Sequence, residues 1–346
     1  MEGLIIFLSI VLGICFALFI YLEIASYKVR KKVFLRRYEY GNTLKFNSFE
    51  NYDGLKKEDH TIASKKNNYN LRGYVYYYER DEYKGLMLMY HSLGVGHRQQ
   101  MEEIAYFASI GYKVFALDFT GCGESGNDEV GGFPQAIIDV ELSYEYINSI
   151  DCYRKMNKYV FAFSMGAYGA INALHKKEDV KAMVLMSLFD CSYEQLAQEL
   201  FHNQNGSKIF STLFKGADIR RFGKISKMKS GQSLVDSSIP CLVISGELDN
   251  VVNPIKNFEV FKECLEEDKS KEFMLVKDRY YKPNMSLEAA RYDNQTNEEY
   301  YKLIIDAKGK LSQDDKKVFY DSLDYDLLHE LDNDVMEKIK TFFAKY

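Results

Sequence analysis

The sequence predicts an α/β protein with a mainly parallel, doubly wound sheet, a small cap and a C-terminal insertion, preceded by one transmembrane helix. Three observations support this prediction. Residues 3–22 carry no charge, short apolar segments alternate with segments of helical period from residue 85 onward, and two long polar stretches interrupt that alternation. Short apolar strands separated by amphipathic helices are typical of a parallel sheet that is covered on both faces.

The uncharged N-terminal segment is the first predicted element. A helix over residues 3–22 would rise about 30 Å, which is the thickness of the hydrocarbon layer of a bilayer. A cleaved signal peptide is the alternative interpretation, but no basic region precedes the segment and no small-residue cleavage site follows it. We therefore expect residues 1–27 to form an uncleaved, single-pass membrane anchor.

A run of cations follows the anchor directly: Lys28, Arg30, Lys31, Lys32, Arg36 and Arg37. Because basic residues flank membrane spans mainly on the cytoplasmic side, the run predicts that the body of the protein is cytoplasmic. Attraction of anionic lipid headgroups is a second interpretation of the same run. Residues 28–60 are predicted to be a basic juxtamembrane linker that leads into a folded domain over 61–346.

Strand and helix signals alternate through the folded domain. Apolar and β-branched segments predict strands at 70–79, 85–90, 112–119, 158–163, 180–186, 240–245 and 272–276. Apolar residues at helical spacing predict helices near 99–110, 134–150, from 164, near 254–265 and from about 333. Residues 190–238 are predicted to form the cap and residues 278–328 the insertion, because connections this long usually have a structure or function of their own.

Composition excludes several classes of function. Charged residues make up 27% of the chain and hydrophobic residues 47%, which excludes a mainly disordered protein. The net charge of −5 offers no overall basic field for nucleic acid. The six cysteines form no C-x-x-C pair and have no histidine at zinc spacing, so we expect reduced thiols, no metal and no cofactor.

Ser164 is the candidate nucleophile. It lies where an apolar strand turns directly into a helix that begins with small residues, and such a turn projects its corner side chain outward. Ala162 and Gly166 provide the small flanking positions that the turn needs. The free N–H groups at the start of the helix could stabilise an oxyanion, with the amide of Met165 as the natural donor. An ordinary helix start with a serine N-cap is the alternative interpretation of this segment taken alone.

The sequence around Ser164 resembles the nucleophile elbow, G-x-S-x-G, of the α/β-hydrolase superfamily, with Ala162 in place of the first glycine. Two further loops carry the resemblance: residues 91–94 (His-Ser-Leu-Gly) are similar to the H-G-x-G oxyanion loop, and residues 118–125 match the D-x-x-G-x-G-x-S turn. The resemblance implies that Leu93 supplies a second oxyanion amide and that Asp249, in a G-x-x-D-x-x-V segment, is the orienting acid. Glu247 and Asp190 are alternative positions for that acid.

Two hypotheses compete for the general base. Chain order in this superfamily is serine, acid, histidine, and His329 is the histidine that follows Asp249, so His329 would take the proton from Ser164. The chain also resembles serine aminopeptidase (S33) and monoacylglycerol lipase-like hydrolases, in which D-R-G-H follows the last strand. Here that segment reads Asp-Arg-Tyr-Tyr over 278–281, and Tyr281 stands at the place of the histidine.

The preferred interpretation is a serine hydrolase that cleaves an acyl ester, amide or peptide bond through Ser164, His329 and Asp249. The alternative is a degenerate hydrolase that has lost its catalytic histidine and acts as a membrane-tethered binding protein. In both cases we expect a small acyl or peptide ligand and a membrane contact through residues 3–22, and no nucleic acid.

Overall fold

A central sheet organises the computed structural model, which describes residues 2–39, 48–63, 68–94, 96–201, 207–308 and 310–346. Within these residues the sheet has eight strands in the order β1-β2-β4-β3-β5-β6-β7-β8. The strands are β1 (Lys56–Ala63), β2 (Asn70–Tyr77), β3 (Gly85–Tyr90), β4 (Tyr112–Asp118), β5 (Lys158–Phe163), β6 (Val180–Met186), β7 (Cys241–Gly246) and β8 (Lys271–Val276). Strands β3 to β8 are parallel and β2 is antiparallel to both neighbours, so the predicted mainly parallel sheet is confirmed.

Helices connect the strands and cover both faces of the sheet. They are α1 (Glu2–Val33), α2 (Met101–Ser109), α3 (Pro134–Ser149), α4 (Asp151–Arg154), α5 (Met165–Leu174), α6 (Ser192–Phe201), α7 (Ser207–Phe222), α8 (Ser230–Asp236), α9 (Phe258–Cys264), α10 (Leu287–Asp306), α11 (Gln313–Asp321), α12 (Tyr325–Leu328) and α13 (Asn333–Phe343). Short 3-10 helices lie at Phe49–Asn51, His97–Gln100 and Gly223–Lys227.

Two apolar cores lie on opposite faces of the sheet. Alternate residues of β3 belong to opposite cores. Leu86 and Leu88 belong to the core under α3 and α5, whereas Met87 and Met89 belong to the core under α2 and α13. All six residues of β3 are buried, as expected for a central parallel strand. The fold is therefore doubly wound, as predicted.

Strand β1 is the strand that the sequence pattern did not predict. Its residues read Lys-Lys-Glu-Asp-His-Thr-Ile-Ala, and only Ile62 among them is buried. An edge strand needs little apolar surface, because backbone hydrogen bonds to one neighbour hold it in place. The domain boundary predicted at residue 61 falls inside this strand, which pairs over its full length with β2.

Helix α1 leaves the body of the protein at Leu22, and residues 2–21 are exposed. From Leu22 onward the helix packs against α7, and the side chains of Ser26 and Arg30, one helical turn apart, are buried there. Phe34, just after the helix, is buried in the core with its ring 4.8 Å from that of Phe133. One unbroken helix thus joins the long apolar segment to the folded domain.

Candidate active site

The loops that follow the parallel strands meet at one edge of the sheet. This edge is where ligands bind in open α/β folds, because the loops there are supported by the rigid strands. Ser164 follows β5, Asp249 follows β7 and Tyr281 follows β8. The fold therefore brings the predicted nucleophile and the predicted acid to the same edge, with Tyr281 beside them.

Ser164 has the backbone of a strained corner. Its φ of 51° and ψ of −109° are rare for a residue with a side chain, and its N–H donates to the carbonyl of Met186 at 2.8 Å. Gly166 is required here, because a Cβ at that position would lie 2.3 Å from the carbonyl oxygen of Tyr90. The Ser164 side chain is buried, and Met165 begins α5, where backbone N–H groups have no partner inside the helix.

The loop after β3 is held by His91. Its Nδ1 donates to the carbonyl of Ser92 at 2.6 Å, and its Nε2 accepts from the backbone N–H of Phe119 at 3.1 Å. Both bonds fit the neutral ring, and burial lowers the pKa of His91 to about 4. His91 is thus a structural residue of the loop that carries Leu93, the predicted second oxyanion donor.

Asp118, at the end of β4, holds the next loop. Its carboxylate accepts from the N–H of His97 at 2.7 Å, from Nδ1 of His97 at 2.8 Å and from the N–H of Glu124 at 2.9 Å. Burial alone would raise the pKa of Asp118, but His97 and the backbone bond outweigh burial and lower it. Gly123 must be a glycine, since its φ is 51° and a Cβ would lie 2.3 Å from the carboxylate.

Asp249 has its hydrogen-bonding partners within its own loop and in Ser187. One carboxylate oxygen accepts from the N–H groups of Val251 at 2.9 Å and Val252 at 2.8 Å, and the other accepts from the Ser187 hydroxyl at 2.9 Å. Burial raises the pKa of Asp249 to about 6 against the effect of these bonds. Asp249 therefore lies at the edge of the sheet where Ser164 lies, and its second carboxylate oxygen accepts a hydrogen bond from the Ser187 hydroxyl.

Ser187 is the site residue that the sequence analysis missed. It follows β6 with a φ of 45°, and its hydroxyl lies 2.9 Å from both the Asp249 carboxylate and the carbonyl of Tyr281. The only sequence signal was its position directly after an apolar strand. A serine there is common as a loop residue, so this position alone did not distinguish it.

Tyr281 faces Ser164. Its side chain is half-buried, its hydroxyl interacts with the hydroxyls of Ser164 and Ser92, and its ring centroid lies 4.7 Å from that of Phe163. Burial raises the pKa of Tyr281, and the negative charge of Asp249 raises it further. Tyr281 thus occupies the position after β8 from which a base would reach the serine.

His329 has its partners on α2 and α12. Its Nδ1 is 2.7 Å from the carboxylate of Glu102 on α2, and its ring stacks on that of Tyr325. In the part of the chain that the structure describes, no hydrogen bond joins His329 to Ser164 or to Asp249. The structure therefore brings together Ser164, Asp249 and the oxyanion loop but leaves His329 with Glu102.

The alternative acids have other roles. Asp190 accepts from the N–H of Gly231 at 2.9 Å, at the start of α8, and lies 3.5 Å from the Lys229 ammonium group. Glu247 accepts at 3.3 Å from the N–H of Asp278 at the exposed end of β8. Within the described residues, no group of three or more His, Cys, Asp or Glu side chains is arranged to hold a metal ion.

A small cavity of about 30 Å³ separates α2 from the segment that carries His329. Glu103 lines it, is buried, and accepts from the Asn284 side chain at 2.6 Å through one oxygen only. Burial raises the pKa of Glu103 to about 7, and the adjacent Glu102 adds to this effect. Glu103 is thus a carboxyl group that the fold favours in its protonated form.

Glu103 is expected to make stability fall as the pH rises. The pKa of Glu103 is higher in the folded state than its unfolded value of about 4.5, so the folded state stays protonated up to a higher pH. The free energy of unfolding therefore falls between about pH 4.5 and 7, by up to about 3 kcal/mol. Denaturation of the full chain in detergent at pH 4.5 and 8 checks this. The Glu103→Gln variant should show a smaller loss between these pH values, and an equal loss would contradict the assignment.

Comparisons with known proteins agree with this fold. Residues 81–216 match the family described as serine aminopeptidase, S33. An esterase from Pyrococcus furiosus is similar in structure, with a TM-score of 0.55 and 14% identity over 78% of this chain and 98% of the esterase. An acetyl xylan esterase from Paenibacillus is also similar in structure, with a TM-score of 0.52 and 15% identity over 72% of this chain and 84% of the esterase. No curated protein matches the sequence. At these identities the structural matches show the fold, and the family match indicates a protein of the hydrolase type.

Proposed function

We propose that this chain, which belongs to the α/β-hydrolase superfamily, is a membrane-tethered protein that binds an acyl or peptide ligand at Ser164 without turning it over as a Ser-His-Asp hydrolase does. The observation that carries the proposal is Tyr281. Its phenol faces the Ser164 hydroxyl from the loop after β8, where the superfamily has its base.

A phenol at this position cannot replace a histidine. The general base must accept the serine proton near neutral pH, and it works best with a pKa close to 7. Burial raises the pKa of Tyr281 above that of an ordinary tyrosine, so the group is protonated and acts as a hydrogen-bond donor. The acid is also engaged, because Asp249 accepts from Ser187 and two backbone amides. Among the described residues, Ser164 therefore has the Tyr281 hydroxyl as its neighbour and no group placed to deprotonate it.

The remaining parts of the site favour a carbonyl ligand. The turn at Ser164 and the start of α5 direct the amide of Met165 to the edge of the sheet, and the loop held by His91 carries Leu93. Two amide donors at such a point suit the oxygen of an ester, amide or carboxylate group. Because binding needs no proton transfer, this function survives without a base.

The second candidate function is a serine hydrolase that uses His329 as its base. The family match and the strained φ of Ser164 favour it, since strain at a corner serine is typical of nucleophile elbows. It requires His329 to leave Glu102, 2.7 Å away, and Tyr281 to vacate the position in front of Ser164. Substrates of this candidate would be lipid-like esters or peptides.

The tether is α1, which is long and apolar enough to cross a membrane over residues 3–22. We infer a single pass with the folded domain in the cytoplasm, because the six cations after the span lie on the domain side. Fusing a reporter that functions on one side of the membrane to the C-terminus tests this. Activity of an exterior-only reporter would refute the orientation.

Ester hydrolysis separates the two candidate functions. The full chain, purified in detergent, is expected to hydrolyse p-nitrophenyl butyrate no faster than its Ser164→Ala variant and to label poorly with a fluorophosphonate. Medium-chain fatty acids and acyl amides are expected to raise its unfolding temperature. Hydrolysis at least tenfold above the Ser164→Ala rate, lost again in His329→Gln, would instead establish the hydrolase with His329 as base.

A further inference from the structure

Helix α7 lies beside α1 at the point where α1 leaves the folded domain. Arg220 lies 3.2 Å from Glu23, the residue directly after the last uncharged position of the apolar segment. Helix α1 continues unbroken from the apolar segment into the folded domain. Since an α-helix rises about 1.5 Å per residue, a few residues of α1 cover only a few ångströms along its axis. If α1 is the membrane anchor proposed above, on which this inference rests, the end of α7 is therefore within one helical turn of the bilayer.

Positive charge is concentrated on these two neighbouring segments. Residues 24–38 and 207–229 together contain thirteen Lys and Arg and one Asp, although the whole chain has a net charge of −5. The exposed cations near the junction include Lys31 and Lys32 on α1 and Arg220, Arg221 and Lys224 on the cap side. Cations close to a membrane surface are attracted to anionic lipid headgroups.

Three guanidinium groups meet at the junction. Arg30 is nine-tenths buried between α1 and α7, 3.6 Å from Asp218, and its Nε and Nη2 atoms have no hydrogen-bond partner among the residues that the structure describes. Burial lowers the pKa of Arg30, Asp218 opposes this effect, and the nearby charges of Arg221 and Arg220 add to it. Arg221 is paired with Glu129 at 2.6 Å and Arg220 with Glu23 at 3.2 Å, so Arg30 is the guanidinium of the three whose buried donors are unused.

We propose that the phosphate of an anionic phospholipid headgroup binds at this junction, between Arg30, Arg220 and Arg221. A phosphate has several acceptor oxygens for guanidinium groups, and it would give the unused donors of Arg30 the partners that Asp218, 3.6 Å away, does not supply. The junction also connects α1 to the cap helix α7, so bound lipid holds the cap against the membrane surface.

The test uses the full chain in dodecyl maltoside micelles with added phosphatidylglycerol, phosphatidylcholine, or phosphatidylcholine plus inorganic phosphate. Unfolding is followed with a thiol-reactive dye, since Cys122, Cys191 and Cys241 are buried and become reactive on unfolding. Phosphatidylglycerol is expected to raise the midpoint temperature of thermal unfolding by about 3 °C or more, and the other two additions are expected to raise this temperature less. Equal shifts with phosphatidylcholine, or with inorganic phosphate, would overturn the lipid assignment.

Variants locate the site. Arg220→Gln with Arg221→Gln is expected to abolish the phosphatidylglycerol shift, whereas Lys302→Gln with Lys317→Gln, which removes equal charge from exposed positions on α10 and α11, should retain it. Arg30→Lys keeps the positive charge beside Asp218 but removes the planar guanidinium donors, so phosphatidylglycerol should raise the unfolding temperature less. An unchanged shift in the Arg220 and Arg221 double variant would refute the site. Alkaline extraction of membranes tests the anchor separately, because a chain that is extracted has lost the anchor itself.

Discussion

Replacing Tyr281 with histidine is expected to give the chain an ester-hydrolysing activity about 10²- to 10⁴-fold above that of the wild type, the contribution typical of a well-placed general base. Position 281 is near both groups that an imidazole would need. The tyrosine side chain faces Ser164, and the negative charge of Asp249 is close enough to raise its pKa. One ring nitrogen could then accept the serine proton while the other donates to Asp249, in competition with Ser187.

The measurement is p-nitrophenyl butyrate hydrolysis by the full chain in detergent. Activity of Tyr281→His should rise with pH through about 6.5, the ordinary pKa of histidine, because the neutral ring is the base. Tyr281→Phe is the matched control, since it removes the hydroxyl without adding a nitrogen and should stay at the wild-type rate. Ser164→Ala in the Tyr281→His background should abolish the gain. Equal rates for the histidine and phenylalanine variants would show that position 281 is not the place of the base.

Replacing Asp118 with alanine is expected to destabilise the fold by about 3–5 kcal/mol, the usual loss when one partner of a buried charged network is removed. The carboxylate is fully buried and accepts from His97 twice and from Glu124 once. Its removal leaves these donors without an acceptor and opens space beneath Gly123.

Chemical denaturation of the full chain in detergent, followed by circular dichroism, measures this loss. Asp118→Asn keeps an acceptor oxygen and nearly the same volume, so it should cost clearly less than the alanine variant. A loss below about 1 kcal/mol for Asp118→Ala would mean that the hydrogen bonds to His97 contribute little to the stability of this loop.

The fold was predictable because its signals are local and strong. Strands β3, β5 and β6 were predicted with their observed bounds, since each is a short apolar run with polar ends. Strand β1 was missed because its stabilisation comes from backbone pairing with β2, which leaves no apolar pattern in a sequence. The elbow at Ser164 was predicted from its small neighbours, and the φ of 51° agrees with that requirement.

The base could not be predicted because it depends on distances between residues far apart in the chain. Sequence order made His329 a candidate, and only the fold shows that its ring is bonded to Glu102. Ser187 was missed for the same reason, since its importance arises from contacts with Asp249 and Tyr281, 62 and 94 residues further along the chain. Triad membership is a tertiary property, whereas a tight turn is a local one.

The unbroken course of α1 also has a mechanical consequence. Membrane-spanning helices tilt by about 20° on average, and the angle changes with the thickness of the bilayer. If α1 is the proposed anchor, the folded domain would tilt with it, because α1 is one continuous helix from Glu2 to Val33 and its last turns are packed against α7. Bilayer thickness would therefore set the angle at which the site edge meets the membrane, and a flexible glycine linker inserted after Leu22 would remove that dependence.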